Sequence, residues 1–122
     1  MVFDGTTGLG GQVVRFLYDP TGKRLVRDVM SADAFGDSST IVISSKGSDP
    51  GSGLVWLINR AVSPINLVAL SADDLGGAHV SLPIGDWNAG TPWVGSAFTE
   101  PMVIDGKVFV GHSGGVTSFS LQ

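Results

Sequence analysis

The chain has 122 residues, with 7 lysines and arginines against 11 aspartates and glutamates and a formal charge of −4. It has the length of one domain, and its charge argues against nucleic acid or an anionic membrane surface as partner. Apolar residues at 43% and a mean hydropathy of +0.29 can build a core, and 15% charged residues argue against intrinsic disorder. Glycine contributes 18 residues, valine outnumbers alanine and Glu100 is the only glutamate, a composition that excludes a helical bundle. The absence of cysteine removes disulfides, zinc-thiolate sites, iron–sulfur clusters and cysteine nucleophiles together. The longest strictly apolar run, Leu54-Val55-Trp56-Leu57-Ile58, is far shorter than the ~18–20 residues of a membrane helix, so no membrane span is expected. Arg15 is the first basic residue, which does not fit a signal peptide; an exported protein would carry its targeting segment on a longer precursor.

Nine short strands, none longer than about eight residues, are expected in an all-β fold: 12–18, 24–29, 40–44, 54–59, 66–71, 79–83, 101–104, 107–111 and 116–121. Asp19-Pro20-Thr21-Gly22 and Asp105-Gly106 mark tight turns between them. The second is the stronger signal, because a type I′ turn needs positive φ at both central residues and Asp-Gly supplies it between Met102-Val103-Ile104 and Val108-Phe109-Val110. Residues 45–53 and 84–99 are read as irregular, the latter holding Trp87, Pro92 and Trp93.

A pattern recurs along the chain. Phe16-Leu17-Tyr18 before Thr21-Gly22-Lys23 resembles Ala69-Leu70-Ser71 before Leu75-Gly76-Gly77, and Ser118-Phe119-Ser120 repeats the strand, at spacings of 53 and 49 residues. Four short strands in a unit of about 50 residues is the arithmetic of a β-propeller blade. The hairpin Pro101-Met102-Val103-Ile104-Asp105-Gly106-Lys107-Val108-Phe109-Val110-Gly111 resembles the repeat of the quinoprotein-like β-propellers, built on pyrroloquinoline-quinone-type repeats. Ile43-Ser44-Ser45-Lys46-Gly47 with Gly53-Leu54-Val55-Trp56, and Leu67-Val68-Ala69-Leu70-Ser71-Ala72-Asp73-Asp74-Leu75, are similar to two further stretches of that repeat. Ser71 stands where the repeat carries aspartate, and Val26 and Val80 stand where it carries a docking tryptophan.

The resemblance covers residues 11–122 and leaves 1–10 as an N-terminal segment. It implies a partial β-propeller of about two to three four-stranded antiparallel blades, C-terminal in a larger ring: two strands of one blade, four of the next and three of a last. It also points to an extracellular or periplasmic protein. Partners are then the remaining blades or further copies of the chain, with a protein or small-molecule ligand at the loops. In the isolated chain Leu54, Trp56, Val108 and Val110 are expected to lose cover and drive association.

No complete catalytic set stands out. Gly111-His112-Ser113-Gly114-Gly115 matches G-x-S-x-G, but a nucleophile elbow needs a helix after the serine and an acid and histidine further on, whereas a strand is expected here and both histidines lie at or before position 112. Gly5-Thr6-Thr7-Gly8-Leu9-Gly10-Gly11 has no expected strand before it and no Lys-Ser/Thr after it, so a phosphate loop is disfavoured. The carboxylates Asp33, Asp37, Asp73, Asp74 and Asp86 lack EF-hand spacing for calcium, and adjacent aspartates after a strand more often cap their turn. His79 and His112 are read as solvated strand ends rather than ligands or bases. Trp56 is expected in the core between blades, while Trp87 and Trp93 are the candidates for a stacking platform at the rim.

Two functions follow from the resemblance. One is a non-catalytic scaffold or binding propeller. The other is a fragment of a quinone-dependent dehydrogenase, which would imply pyrroloquinoline quinone and calcium assembled from several blades; no cofactor or metal is expected from this chain alone.

Overall fold

The computed structural model describes residues 11–35, 40–59, 62, 64–77, 79–84, 100–111 and 115–120, together with the backbone of 2–4 and 112. These residues form ten strands: β1 (Val2–Asp4), β2 (Gln12–Asp19), β3 (Arg24–Ala34), β4 (Val42–Ser44), β5 (Leu54–Asn59), β6 (Asn66–Ser71), β7 (Val80–Pro83), β8 (Met102–Ile104), β9 (Lys107–His112) and β10 (Gly115–Ser120). All pairing is antiparallel, in three sheets of order β1-β2-β3, β4-β5-β6-β7 and β10-β9-β8. The protein is therefore all-β and its sheets are meanders, each strand lying beside its neighbour in sequence.

The turns follow from local chemistry. Asp105 and Gly106 have φ of 48° and 69°, and Ile104 pairs with Lys107, so the two-residue connection has the type I′ form expected of Asp-Gly. Between β2 and β3 the Asp19 carboxylate accepts the backbone N–H groups of Thr21 and Gly22, both at 3.0 Å, and Lys23 closes the turn at φ 49°. After β6 the Ser71 hydroxyl accepts the N–H of Asp73 at 3.1 Å, so serine bonds its own turn at the position where aspartate stands in the resembling repeat.

Two features depart from expectation. The first sheet has three strands rather than two, because Val2–Asp4 pairs with β2 through Val2↔Phe16, Phe3↔Arg15 and Asp4↔Val14. The strand expected to end at residue 29 instead runs 11 residues to Ala34. Register shifts between Gln12 and Val14 and between Arg15 and Phe16 let β3 bend and keep pairing, and the buried Ser31 fixes its far half. The Ser31 hydroxyl accepts the N–H of Val13 at 3.0 Å and donates to the carbonyl of Asp33 at 2.7 Å. Polar bonding holds a segment whose side chains carry little strand preference.

The middle sheet is covered on both faces, and alternation along its strands assigns the two covers. Val55, Leu57, Val68 and Leu70 join Val13 and Phe35 in a core shared with the first sheet. Trp56, Ile58, Leu67 and Ala69 join Ile84, Val108 and Val110 in a core shared with the third. Adjacent residues of a strand point to opposite faces, so a sheet buried on both sides needs an unbroken apolar run, which β5 supplies. Trp56 is 1% exposed, in the inter-sheet core where it was expected. Val80, at one tryptophan-equivalent position, packs half-buried against the same core, whereas Val26 at the other is exposed. Trp56, Val108 and Val110 were expected to lose cover in the isolated chain; the chain covers them itself, and Leu54 is half-buried beside them.

Candidate functional site

Three hairpin ends, those of β4–β5, β6–β7 and β8–β9, are gathered by hydrogen bonds and packing. Ala72 donates its N–H to the carbonyl of Gly53 at 2.9 Å, tying the β6–β7 turn to the β4–β5 tip. Where that tip meets the β8–β9 turn lies a cleft of about 370 Å³ lined by Ser44, Ser45, Lys46, Ser52, Leu54, Val103 and Gly106. Leu54 and Val103 provide the apolar part of its lining, and three hydroxyls and an ammonium the polar part.

The tip that forms one wall is built by its own short-range bonds. Ser52 accepts the N–H of Lys46 at 3.0 Å and donates to the carbonyl of Asp49 at 2.7 Å, while Asp49 returns an N–H to the carbonyl of Lys46 at 3.1 Å. Gly47 and Gly51, at φ 58° and 77°, give the backbone the reversals this closure requires. Trp56 donates its Nε1–H to the Ser44 hydroxyl at 2.9 Å, so the buried indole is satisfied by a residue that lines the cleft. Lys46 lies 3.6 Å from Asp49, with both side chains largely in water, where such a pair contributes little to stability.

On the other side, Arg15 links the first sheet to the β6–β7 turn. Its guanidinium pairs with the Asp28 carboxylate and donates through Nη1 to the carbonyl of Ala72 at 2.5 Å. Asp28 is the residue left over where the register of β3 shifts, so the bulge aims it at the arginine. Sequence reasoning had assigned Arg15 no role; the acceptor is a backbone carbonyl 57 residues away, which no side-chain pattern reveals.

The sequence candidates fall as follows. Asp73 and Asp74 sit in the turn after β6, and Asp74 accepts the N–H of Gly76 at 2.8 Å, so it caps its own turn. That backbone bond holds the Asp74 carboxyl below its ordinary value. Asp33 and His79 are exposed, and the backbone N–H of His79 bonds the carbonyl of Ala69 at 2.9 Å. No group of three or more His, Asp or Glu side chains among the described residues is placed to hold a metal. Trp87, Trp93, Asp37, Asp86 and Ser113 lie outside the described residues, as does the side chain of His112. Strands flank the Gly-His-Ser-Gly-Gly motif on both sides, with His112 paired to Gly115. Of the N-terminal glycine-rich stretch only Gly11 is described, at φ 83° with its carbonyl accepting the N–H of Phe35 at 2.8 Å; a strand, β1, does precede the stretch, contrary to expectation.

No family model, no curated protein and no solved structure matches the chain. No helix among the described residues is long and apolar enough to cross a membrane.

Proposed function

We propose that the chain is a run of three blades of a β-propeller and acts as a non-catalytic scaffold or binding module, part of a larger ring of the quinoprotein-like type. The observation that carries this reading is the stack itself: a four-stranded meander buried on both faces by two further meanders, each sheet facing the next. Strand repeats at near 50-residue spacing are what radial repetition of a blade produces. Binding rather than chemistry is supported by the cleft, whose lining offers hydroxyls, one ammonium and apolar surface but no pair of groups arranged as acid and base.

Electron-microscopic images of the assembled protein test the architecture. Radially arranged sheets around a central channel are expected, and a two-sheet sandwich or a linear solenoid would overturn the reading. Titration calorimetry tests the absence of catalysis-related cofactors: pyrroloquinoline quinone and calcium are each expected to bind weakly or not at all to this chain. A stoichiometric quinone complex at micromolar affinity or tighter would favour the dehydrogenase-fragment alternative.

A further inference from the structure

Resting on the binding reading, we infer that the cleft between the β4–β5 tip and the β8–β9 turn takes a neutral, polyhydroxylated ligand of the size of a mono- or disaccharide. Its volume of about 370 Å³ lies at the small end of the ~300–1,000 Å³ of ligand sites. Size narrows the ligand, and the state of each polar group narrows its chemistry.

The three serines are not equivalent. Ser52 donates its proton to the carbonyl of Asp49 at 2.7 Å, and Ser45 donates its own to the carbonyl of Gly47 at 3.2 Å. Both oxygens keep acceptor capacity, although Ser52 has already spent part of its own on the N–H of Lys46. Ser44 is the reverse case: its oxygen accepts the indole N–H of Trp56 at 2.9 Å, and its proton is left to give. The wall thus offers acceptors at Ser45 and Ser52 and a donor at Ser44. A ligand hydroxyl both gives and takes a proton, so it meets either kind. Leu54 and Val103 add apolar surface for the C–H face of a sugar ring.

Charge points the same way. Lys46 is the charged residue of the lining, and the Asp49 carboxylate lies 3.6 Å from its ammonium, so a ligand meets a balanced pair rather than an excess of either sign. Oxyanion cradles turn successive backbone N–H groups outward at the ligand. Here the N–H groups of Lys46, Asp49 and Ser52 are turned into the tip, onto the Ser52 hydroxyl, the carbonyl of Lys46 and the carbonyl of Asp49. A phosphate or carboxylate would find one ammonium, already shared. A purely apolar ligand would cover the Ser44 proton without giving it an acceptor, at the cost of a hydrogen bond.

NMR titration of the isotope-labelled full chain tests the proposal. The probes are glucose, maltose and cellobiose as saccharides, inorganic phosphate as anion, and cyclohexanol as an apolar ring with one hydroxyl. Saturable amide shifts at Leu54, Val103 and Gly106, in the millimolar range, are expected with at least one saccharide and with neither comparator. Ser45→Ala, at an exposed position outside both cores, should weaken that binding about 3- to 10-fold, the effect of one hydrogen bond. Ser44→Ala should do the same; if loss of the acceptor for Trp56 unfolds it, the Ser45 variant decides. Phosphate moving these amides in place of the saccharides overturns the inference and keeps the binding reading. Cyclohexanol binding as tightly as the saccharides, or saccharide binding unchanged by loss of the serine hydroxyls, overturns it in the same way. Silence with every probe overturns it together with the cleft as grounds for binding, while the blade architecture is still judged from the images.

Discussion

The second and third sheets share a meander topology but differ in what surrounds them. β5 and β6 are buried on both faces, and their sequences, Leu-Val-Trp-Leu-Ile-Asn and Asn-Leu-Val-Ala-Leu-Ser, are apolar at consecutive positions. β9 is fully buried on one face only: Val108 and Val110 are buried, whereas on the other face Lys107 is exposed and Phe109 half-buried. The same backbone pattern thus supports either continuous or alternating burial, and the number of fully covered faces decides between them. It follows that a substitution at an equivalent strand position costs more in the middle of the stack than at its end.

The largest expected effect is Trp56→Ala, which opens a cavity between the second and third sheets and removes the donor to Ser44. A loss of about 3–5 kcal/mol in chemical denaturation is expected, against about 1 kcal/mol for Val103→Ala on the half-covered third sheet. Equal losses would break the contrast between doubly and singly covered sheets. Next comes Arg15→Met, which keeps the stem but removes the charged bond to Ala72 and the pair with Asp28. About 1–3 kcal/mol should be lost, with amide exchange accelerated in β1 to β3 before the middle sheet. Uniform acceleration across all three sheets would show that the arginine does not fasten the first sheet in particular.

Gly106→Val should cost about 1–2 kcal/mol. No atom lies within 4 Å of the added Cβ, so the penalty is the φ of 69° alone. It should be recovered by Gly106→Asn, which tolerates the left-handed region; if valine and asparagine behave alike in thermal melts, the type I′ geometry is not what holds the hairpin. The smallest effect is at Asp74. Its folded pKa is depressed, so its contribution to stability is present above the unfolded value and is lost as pH falls through the folded one. Carboxyl titration by NMR should place Asp74 below the ordinary aspartate value, and Asp74→Asn should flatten only the acid end of the stability profile.

The parts of the fold legible in sequence were those governed by local chemistry or by both-sided burial. The limits of β5 and β6 coincide with the apolar runs at 54–59 and 66–71, and Asp105-Gly106 announced its turn. β1 was missed because three residues, Val-Phe-Asp, carry no periodicity; pairing to β2 makes them a strand. The second half of β3, with Ser31, Ala32, Asp33 and Ala34, reads as weak strand and is held by the bulged register and the buried serine. The cleft was illegible for a different reason: Ser44 and Gly106 are far apart in the chain and meet only because two sheets stack. The third-sheet face was visible as residues but not as a face, since inside and outside are assigned by which side Val108 and Val110 take.

The β4–β5 tip is closed by Ser52 and its neighbours rather than by either core, and a side chain at Gly47 would meet nothing within 4 Å. Residues 46–52 are thus closed by their own short-range bonds, and the fastening to the stack falls at their ends, at Ser44 and Gly53. Such a segment is where an inserted peptide does least harm. A foreign epitope spliced after Gly47 would be displayed beside the cleft while the sheets that carry it stayed as they are, which makes the tip the natural grafting point for turning this protein into a display scaffold.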